Sequence, residues 1–270
     1  MPDRPELGLD RFSLRGLGVG LTGGGGHLGR EMALAIARAG GTVVIVGRGE
    51  AALEEAVERA ASEGCEASVV PCAGDAGDPA TLDRASSALR ERGLRLDGWV
   101  NNAYDGVSSQ LGELDREAVE RTLRSALVDA MLASDRVGAE MGRSGGGSIV
   151  NVISMYGLVS PRPEVYADAP ELHNPPAYGA AKAGLLQFTR YAAAHWAKVG
   201  VRVNALTPGA FPGPDVQRRE GFVEALEGQI PMGRIGRPDE VGGALVFLLA
   251  AASSYMTGQQ VVLDGGWTIW

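Results

Sequence analysis

Leu17-Gly18-Val19-Gly20-Leu21 runs straight into Thr22-Gly23-Gly24-Gly25-Gly26-His27-Leu28-Gly29, and an amphipathic stretch over 30–39 follows at once. Apolar run, glycine loop, amphipathic stretch: that order predicts a strand, a tight turn and a helix, the context in which a glycine-rich motif becomes informative. Without side chains the glycines let the backbone approach a pyrophosphate. The free N–H groups at the start of the helix then supply an anion site. A flexible linker fits badly here, because apolar periodic segments flank the loop closely on both sides. The loop is expected to bind phosphate.

Outward from it the pattern repeats. Thr42-Val43-Val44-Ile45-Val46 is a buried-strand run ending in Gly47-Arg48. In a dinucleotide fold this strand end meets the adenosine ribose, where a carboxylate suits the 2′-hydroxyl of NAD and an arginine suits a 2′-phosphate. Only Arg48 is present. Either it meets that phosphate, which favours NADP(H) over NAD(H), or it is a solvated residue at a helix start.

Further helices are expected over 51–63, 79–92, 113–141, 175–199 and 216–229, and from Pro238 onward. Strands are expected over 67–72, 97–104, 148–154, 201–206 and 259–263. Strands alternating with helices imply α/β architecture: a single Rossmann-like doubly wound domain over 1–270, with a mostly parallel seven-stranded sheet and helices on both faces. Residues 1–13 read as an N-terminal tail. The proline- and glycine-broken segment 210–236 reads as a substrate lid. There is no internal repeat.

Composition narrows the function. The 270 residues carry a net charge of −8, which argues against nucleic-acid and anionic-membrane partners. No run of about 18 apolar residues is present to span a membrane, and the charged, proline-broken start makes no signal peptide. Cys65 and Cys72 lack metal-ligand spacing, so no metal site is expected, and both suit a reducing cytoplasm.

Ligands of parallel sheets bind beyond the strands' carboxyl ends, which is where Ser154 stands. In Tyr178-Gly179-Ala180-Ala181-Lys182, tyrosine and lysine share one helix face. A free phenol with a pKa near ~10 is a poor acid or base at neutral pH. A neighbouring ammonium, with a bound cationic nicotinamide, would bring it into range.

Taken together, the Thr22 loop, Asn101-Asn102-Ala103, Ser154, Tyr178 with Lys182, Pro208-Gly209, the stretch from Pro231 to Val241, and Asp264-Gly265-Gly266 resemble the short-chain dehydrogenase/reductase family over nearly the whole chain. The resemblance implies that Tyr178 is the general acid/base. It makes Lys182 the residue that tunes Tyr178 and binds the nicotinamide ribose, and Ser154 the residue that orients the substrate oxygen. Cofactor contacts are implied at Gly23, Gly29, Arg48, Asp75, Ala76 and Asn101. Gly25, Gly26, His27, Leu28, Ala103, Pro208, Gly209 and Phe211 are expected beside them. Family members usually pair their long helices, so a homodimer or homotetramer is implied.

Four positions depart from the family pattern. His27 replaces the middle loop glycine, and either crowds or bonds the pyrophosphate or turns outward. Tyr104 replaces a glycine and either walls the active-site mouth or packs. Ala126, beside Ser125, replaces the asparagine that links the lysine to solvent. Pro212 replaces a threonine that meets the carboxamide.

Ser154 and Tyr178 are also about twice as far apart as is usual in the family. The extra residues, 160–176, are expected near the substrate pocket. This insertion and its flanks faintly resemble members linked to surface-sugar or flagellin-glycan modification. Tyr104, Tyr156, Tyr166 and His173 are the candidate substrate contacts. The expected function is NADP(H)-dependent interconversion of a secondary alcohol and a ketone on a polar, sugar- or cyclitol-like small molecule. The alternatives are a 3-oxoacyl-thioester reductase and a non-catalytic NADP-binding partner or sensor.

Overall fold

The computed structural model describes residues 8–65 and 68–270. Among these, seven strands form one parallel sheet in the order β3-β2-β1-β4-β5-β6-β7. The strands are β1 (Gly18–Thr22), β2 (Thr42–Gly47), β3 (Val69–Ala73), β4 (Leu96–Asn101), β5 (Gly147–Val152), β6 (Val201–Pro208) and β7 (Gln260–Leu263). β1 and β4 are buried at every position, as strands covered on both faces must be. The expected start of the third strand, Ala67, and residues 1–7 of the expected tail lie outside the described residues.

Two helical layers cover the sheet. On one face α1 (His27–Arg38), α2 (Glu50–Ala61) and the late helix Val241–Leu249 contribute Met32, Ile36, Leu53, Leu245 and Leu248 to a core with Val19, Leu21 and Val43. On the other, α3 (Pro79–Arg90) lies beside α4 (Arg116–Leu123), α5 (Asp129–Arg143) and α6 (Pro176–Trp196). Leu89 of α3 and Val137 and Met141 of α5 pack there on Trp99, Ile149 and Val203. Gly20 is set by that second core: a Cβ there would stand 2.2 Å from the Trp99 ring.

The single long helix expected over 113–141 is interrupted. It begins at Arg116, capped by the Asp115 carboxylate on the Ala118 N–H at 2.9 Å, and contains a π-helical turn over Arg124–Val128 before α5. The helix expected over 216–229 is two short ones, α7 (Pro214–Gln217) and α8 (Glu220–Glu227); the late helix is α9. None of the described helices is long and apolar enough to cross a membrane.

The chain runs outward from β1 to β3, then returns across β1 to lay down β4. That reversal opens a crevice at the carboxyl ends of β1 and β4. The site lies there.

Candidate active site

Ser154, Tyr178 and Lys182 meet because one turn packs closely on one helix. After β5 the chain stays extended through Ser154 and enters a 3₁₀ turn over Met155–Gly157. Two glycines let this turn lie on α6. A Cβ at Gly157 would stand 3.0 Å from the Lys182 carbonyl carbon, and one at Gly179 would stand 2.8 Å from the Tyr156 carbonyl oxygen. Pro175 and Pro176 start α6, which puts Tyr178 in its first turn and Lys182 one turn later. Lys182 Nζ donates to the Val152 carbonyl at 2.7 Å and lies 5.6 Å from the centre of the Tyr178 ring.

Burial dominates the electrostatics. It pulls the Lys182 ammonium, 3% exposed, down from 10.5 to about 8. It pushes the Tyr178 phenol up, against a smaller downward pull from the Ser154 hydroxyl. The lowering expected from the lysine together with a bound cationic nicotinamide is not made by the protein alone: desolvation raises the phenol, and the ammonium is turned to the Val152 carbonyl. At neutral pH the phenol keeps its proton.

A stability prediction follows for Lys182. The unfolded chain binds a proton here up to about pH 10.5 and the folded chain only to about 8, so stability rises with pH across that window. Below it the buried charge costs up to ~3 kcal/mol. Lys182→Met is expected to melt higher than the parent at pH 7, with the difference shrinking towards pH 10. A parent that loses stability between pH 8 and 10 relative to Lys182→Met would contradict this.

A cavity of about 1110 Å³ opens beside these residues. Gly23 and the loop residues Gly25, Gly26, His27, Leu28 and Gly29 line it. So do Arg48, Asp75, Ala76, Ala103, Pro208, Gly209 and Phe211, together with Ser154, Tyr178 and Lys182. The loop is a cradle only glycine can form. A Cβ at Gly29 would stand 2.0 Å from the Gly23 carbonyl oxygen, and one at Gly25 2.9 Å from the Ala52 backbone. Among the described residues His27 Nε2 is buried there with no hydrogen-bond partner. A backbone-lined hollow at a helix start, with an orphaned polar atom beside it, fits a dinucleotide pyrophosphate.

Asn101 is a correction. Its side chain is buried away from the cavity and bonds Trp99 Nε1, Ser134 Oγ and Asn151 Oδ1, each at 2.8 Å. Adjacent strand residues point to opposite faces, and it is Asn102 that reaches the cavity wall. Asn102 Nδ2 also ties the wall to the glycine loop through the Thr22 and Gly23 carbonyls, at 3.2 Å each.

Three of the four candidate substrate contacts are corrected as well. Tyr156 and Tyr166 share a hydroxyl–hydroxyl hydrogen bond inside an apolar cluster with Val165, Leu226 and Trp267. His173 stacks on Tyr166, ring centres 4.8 Å apart, and its Nδ1 meets the Asn174 carbonyl at 2.8 Å. None of the three lines the cavity. The insertion instead packs beside the pocket. Arg162 bonds Gln229 and the Trp270 carbonyl, Arg219 pairs with Glu171 at 3.0 Å, and Asn174 alone of residues 160–176 reaches the wall. Tyr104 does line the cavity; its ring centre is 4.7 Å from that of Tyr178, and burial beside Tyr178 and Asp105 pushes its own phenol up to about 12.

Burial, with the Arg30 guanidinium nearby, holds the His27 imidazole below its usual range, and Pro212, another departure from the family pattern, lies near it. Ala126, 1% exposed, sits mid-way along the π-helical turn. Ser125 beside it faces the cavity; its Oγ donates to the Asp105 carbonyl at 2.7 Å and accepts the Asp105 N–H at 3.1 Å. Asp105, Arg121, Arg124, Ser125 and Asp129 also line the cavity, and none is a candidate from the sequence. Arg121, Ser125 and Asp129 recur at helical spacing, a shared-face signal that was available.

Sheet order, glycine cradle and the converging serine, tyrosine and lysine together define a dinucleotide-dependent oxidoreductase fold, and the chain belongs to the short-chain dehydrogenase/reductase family. A family model described as Enoyl-(Acyl carrier protein) reductase matches residues 26–268. Galactitol 2-dehydrogenase (L-tagatose-forming) of Cereibacter sphaeroides is 34% identical over 264 residues, 96% of this chain and 98% of that protein. Sorbose reductase of Schizosaccharomyces pombe is 30% identical, with 95% and 97% covered. The crystal structure of a gluconate 5-dehydrogenase from Burkholderia cenocepacia, in complex with NADP and tartrate, superposes with a TM-score of 0.82 at 29% identity, covering 97% of this chain and 99% of that one.

Proposed function

We propose that the protein interconverts a secondary alcohol and a ketone on a polyol- or sugar-like substrate, using NADP(H). The observation that carries this is the convergence of Ser154, Tyr178 and Lys182 on the same cavity as the glycine cradle and Arg48. The polyol and ketose named for two relatives, and the NADP and tartrate of the structural neighbour, support the substrate and cofactor classes.

Residues 23–29 with Asp75 and Ala76 would hold the dinucleotide, and Arg48 the 2′-phosphate. Bound there, the nicotinamide supplies or accepts the hydride. Tyr178 Oη gives its proton to a carbonyl oxygen, or takes one from a hydroxyl in the reverse direction. Ser154 Oγ hydrogen-bonds that same oxygen and fixes its place. The Lys182 ammonium stabilises the phenolate left on Tyr178. Tyr104 and Asn174 flank the substrate end, an aromatic face and an amide suited to the C–H and O–H surfaces of a polyol.

Exposed Leu132 on α5 and Tyr191 on α6 support pairing of those helices in a homodimer or homotetramer, and the cytoplasm is the proposed setting.

The test is equilibrium titration of NADPH and NADH, with turnover on ketose and polyol panels. NADPH is expected to bind about tenfold tighter or more than NADH, and Arg48→Ala to erase that margin. Equal affinities in the parent would remove the NADP(H) assignment.

A further inference from the structure

β2 and β4 flank β1, so the residues leaving their carboxyl ends stand on opposite sides of the glycine loop. Strand spacing of ~4.8 Å puts those ends about 10 Å apart. Arg48 follows β2 and Asp105 follows β4, yet Arg48 Nη1 lies 2.8 Å from Asp105 Oδ2. The other carboxylate oxygen accepts from Arg121 Nη2 of α4 at 2.7 Å. One carboxylate is thus held between two guanidinium groups, one from each wall, and all three residues line the cavity. The bridge crosses the cleft. Ser125, bonded to both the N–H and the carbonyl of Asp105, fixes the backbone from which the carboxylate projects.

We propose that Asp105 is a built-in competitor for the cofactor's 2′-phosphate, and that Arg121 is a second ligand for that phosphate once Asp105 yields. This rests on the NADP(H) reading above. Carboxylate and phosphate offer similar oxygen pairs to guanidinium donors, so a phosphate can take over both arginines with more charge than the carboxylate brings. A 2′-hydroxyl carries no charge and does not displace Asp105. The competition therefore falls only on the phosphorylated cofactor, weakening its hold and easing its release.

Arg48 and Arg121 are more than half exposed and Asp105 about a quarter, so the bridge is screened and opens readily. That bounds the effect at about an order of magnitude. The serine bonds to Asp105 are to its main chain, so Asp105→Asn keeps the loop in place.

The experiment titrates NADPH and NADH against the parent protein, Asp105→Asn and Arg121→Gln, with melting temperatures without cofactor as the folding control. Asp105→Asn is expected to tighten NADPH about three- to tenfold and to leave NADH within about twofold. Arg121→Gln is expected to weaken NADPH about tenfold and to spare NADH. If Asp105→Asn weakens both cofactors, the bridge is a cover over bound dinucleotide and the proposal fails. It fails equally if NADPH affinity is unchanged, or if Arg121→Gln weakens both cofactors alike. A parent protein that binds NADH as tightly as NADPH overturns the cofactor reading and this proposal together. An NADPH preference that survives with Asp105→Asn unchanged overturns the proposal alone.

Discussion

Tyr178→Phe is expected to lower kcat by about 10³-fold while NADPH affinity stays within about threefold, because it removes the proton-transfer group and nothing else. The ring remains, and with it the packing on Tyr104. The fold does not depend on the hydroxyl: the described residues give it no partner besides the nearby Ser154. General acid–base catalysis by a positioned side chain contributes typically ~10²–10⁴-fold, which sets the size of the loss. Steady-state kinetics on a ketose substrate with saturating NADPH measures it. A Tyr178→Phe protein within about tenfold of the parent would mean that another group moves the proton.

Gly29→Ala is the second large effect, and its sign has to be argued. Within a helix, alanine is ordinarily favoured over glycine by ~1 kcal/mol. Here the added Cβ would lie 2.0 Å from the Gly23 carbonyl oxygen and 2.9 Å from Gly24 Cα, both backbone and neither able to rotate away. Overpacking of this kind costs about 1–3 kcal/mol or more, so the clash wins over the propensity. α1 must be displaced from the loop, and the cradle lost with it. The variant is expected to melt several degrees lower and to bind NADPH at least ~100-fold more weakly, since pyrophosphate binding depends on that loop and helix start. Parent-like affinity would show that the cradle does not hold the cofactor.

Much of the fold was legible because parallel strands buried on both faces read as unbroken apolar runs. Val43 to Val46 announces itself that way, and Ile149 to Val152 does so with one polar break at Asn151. Where helix and strand ends depend on tertiary contacts, the sequence is silent. The π-helical turn at Arg124–Val128 replaces what propensity reads as one continuous helix, and it arises where α4 and α5 pack on α6. The insertion shows a different limit. Its polar, proline-rich composition points to a loop facing substrate, but Val165 and Tyr166 anchor it in an apolar cluster, and the hydroxyls of Tyr156 and Tyr166 satisfy one another there.

The site divides in the same way. Ser154, Tyr178 and Lys182 could be placed from order and spacing, because each occupies a defined position at a strand end or on one helix face. Helical spacing offered Arg121 as one of a shared face, but not its meeting with Asp105 and Arg48, since nothing in the spacing along the chain shows that these side chains converge across the glycine loop. Asn101 looked like the cavity residue and Asn102 is, a matter of which way one strand residue points.

The central claim is hydride exchange between a nicotinamide bound in the glycine cradle and a carbinol carbon held at Tyr178. Incubating the protein with NADPH deuterated at C4 on either face and a panel of ketoses, then locating the deuterium by mass spectrometry and NMR, tests it directly. Label from one face only, carried to the new carbinol carbon and lost in Tyr178→Phe, is the predicted result. Tight NADPH binding with no label transferred to any substrate would contradict the account.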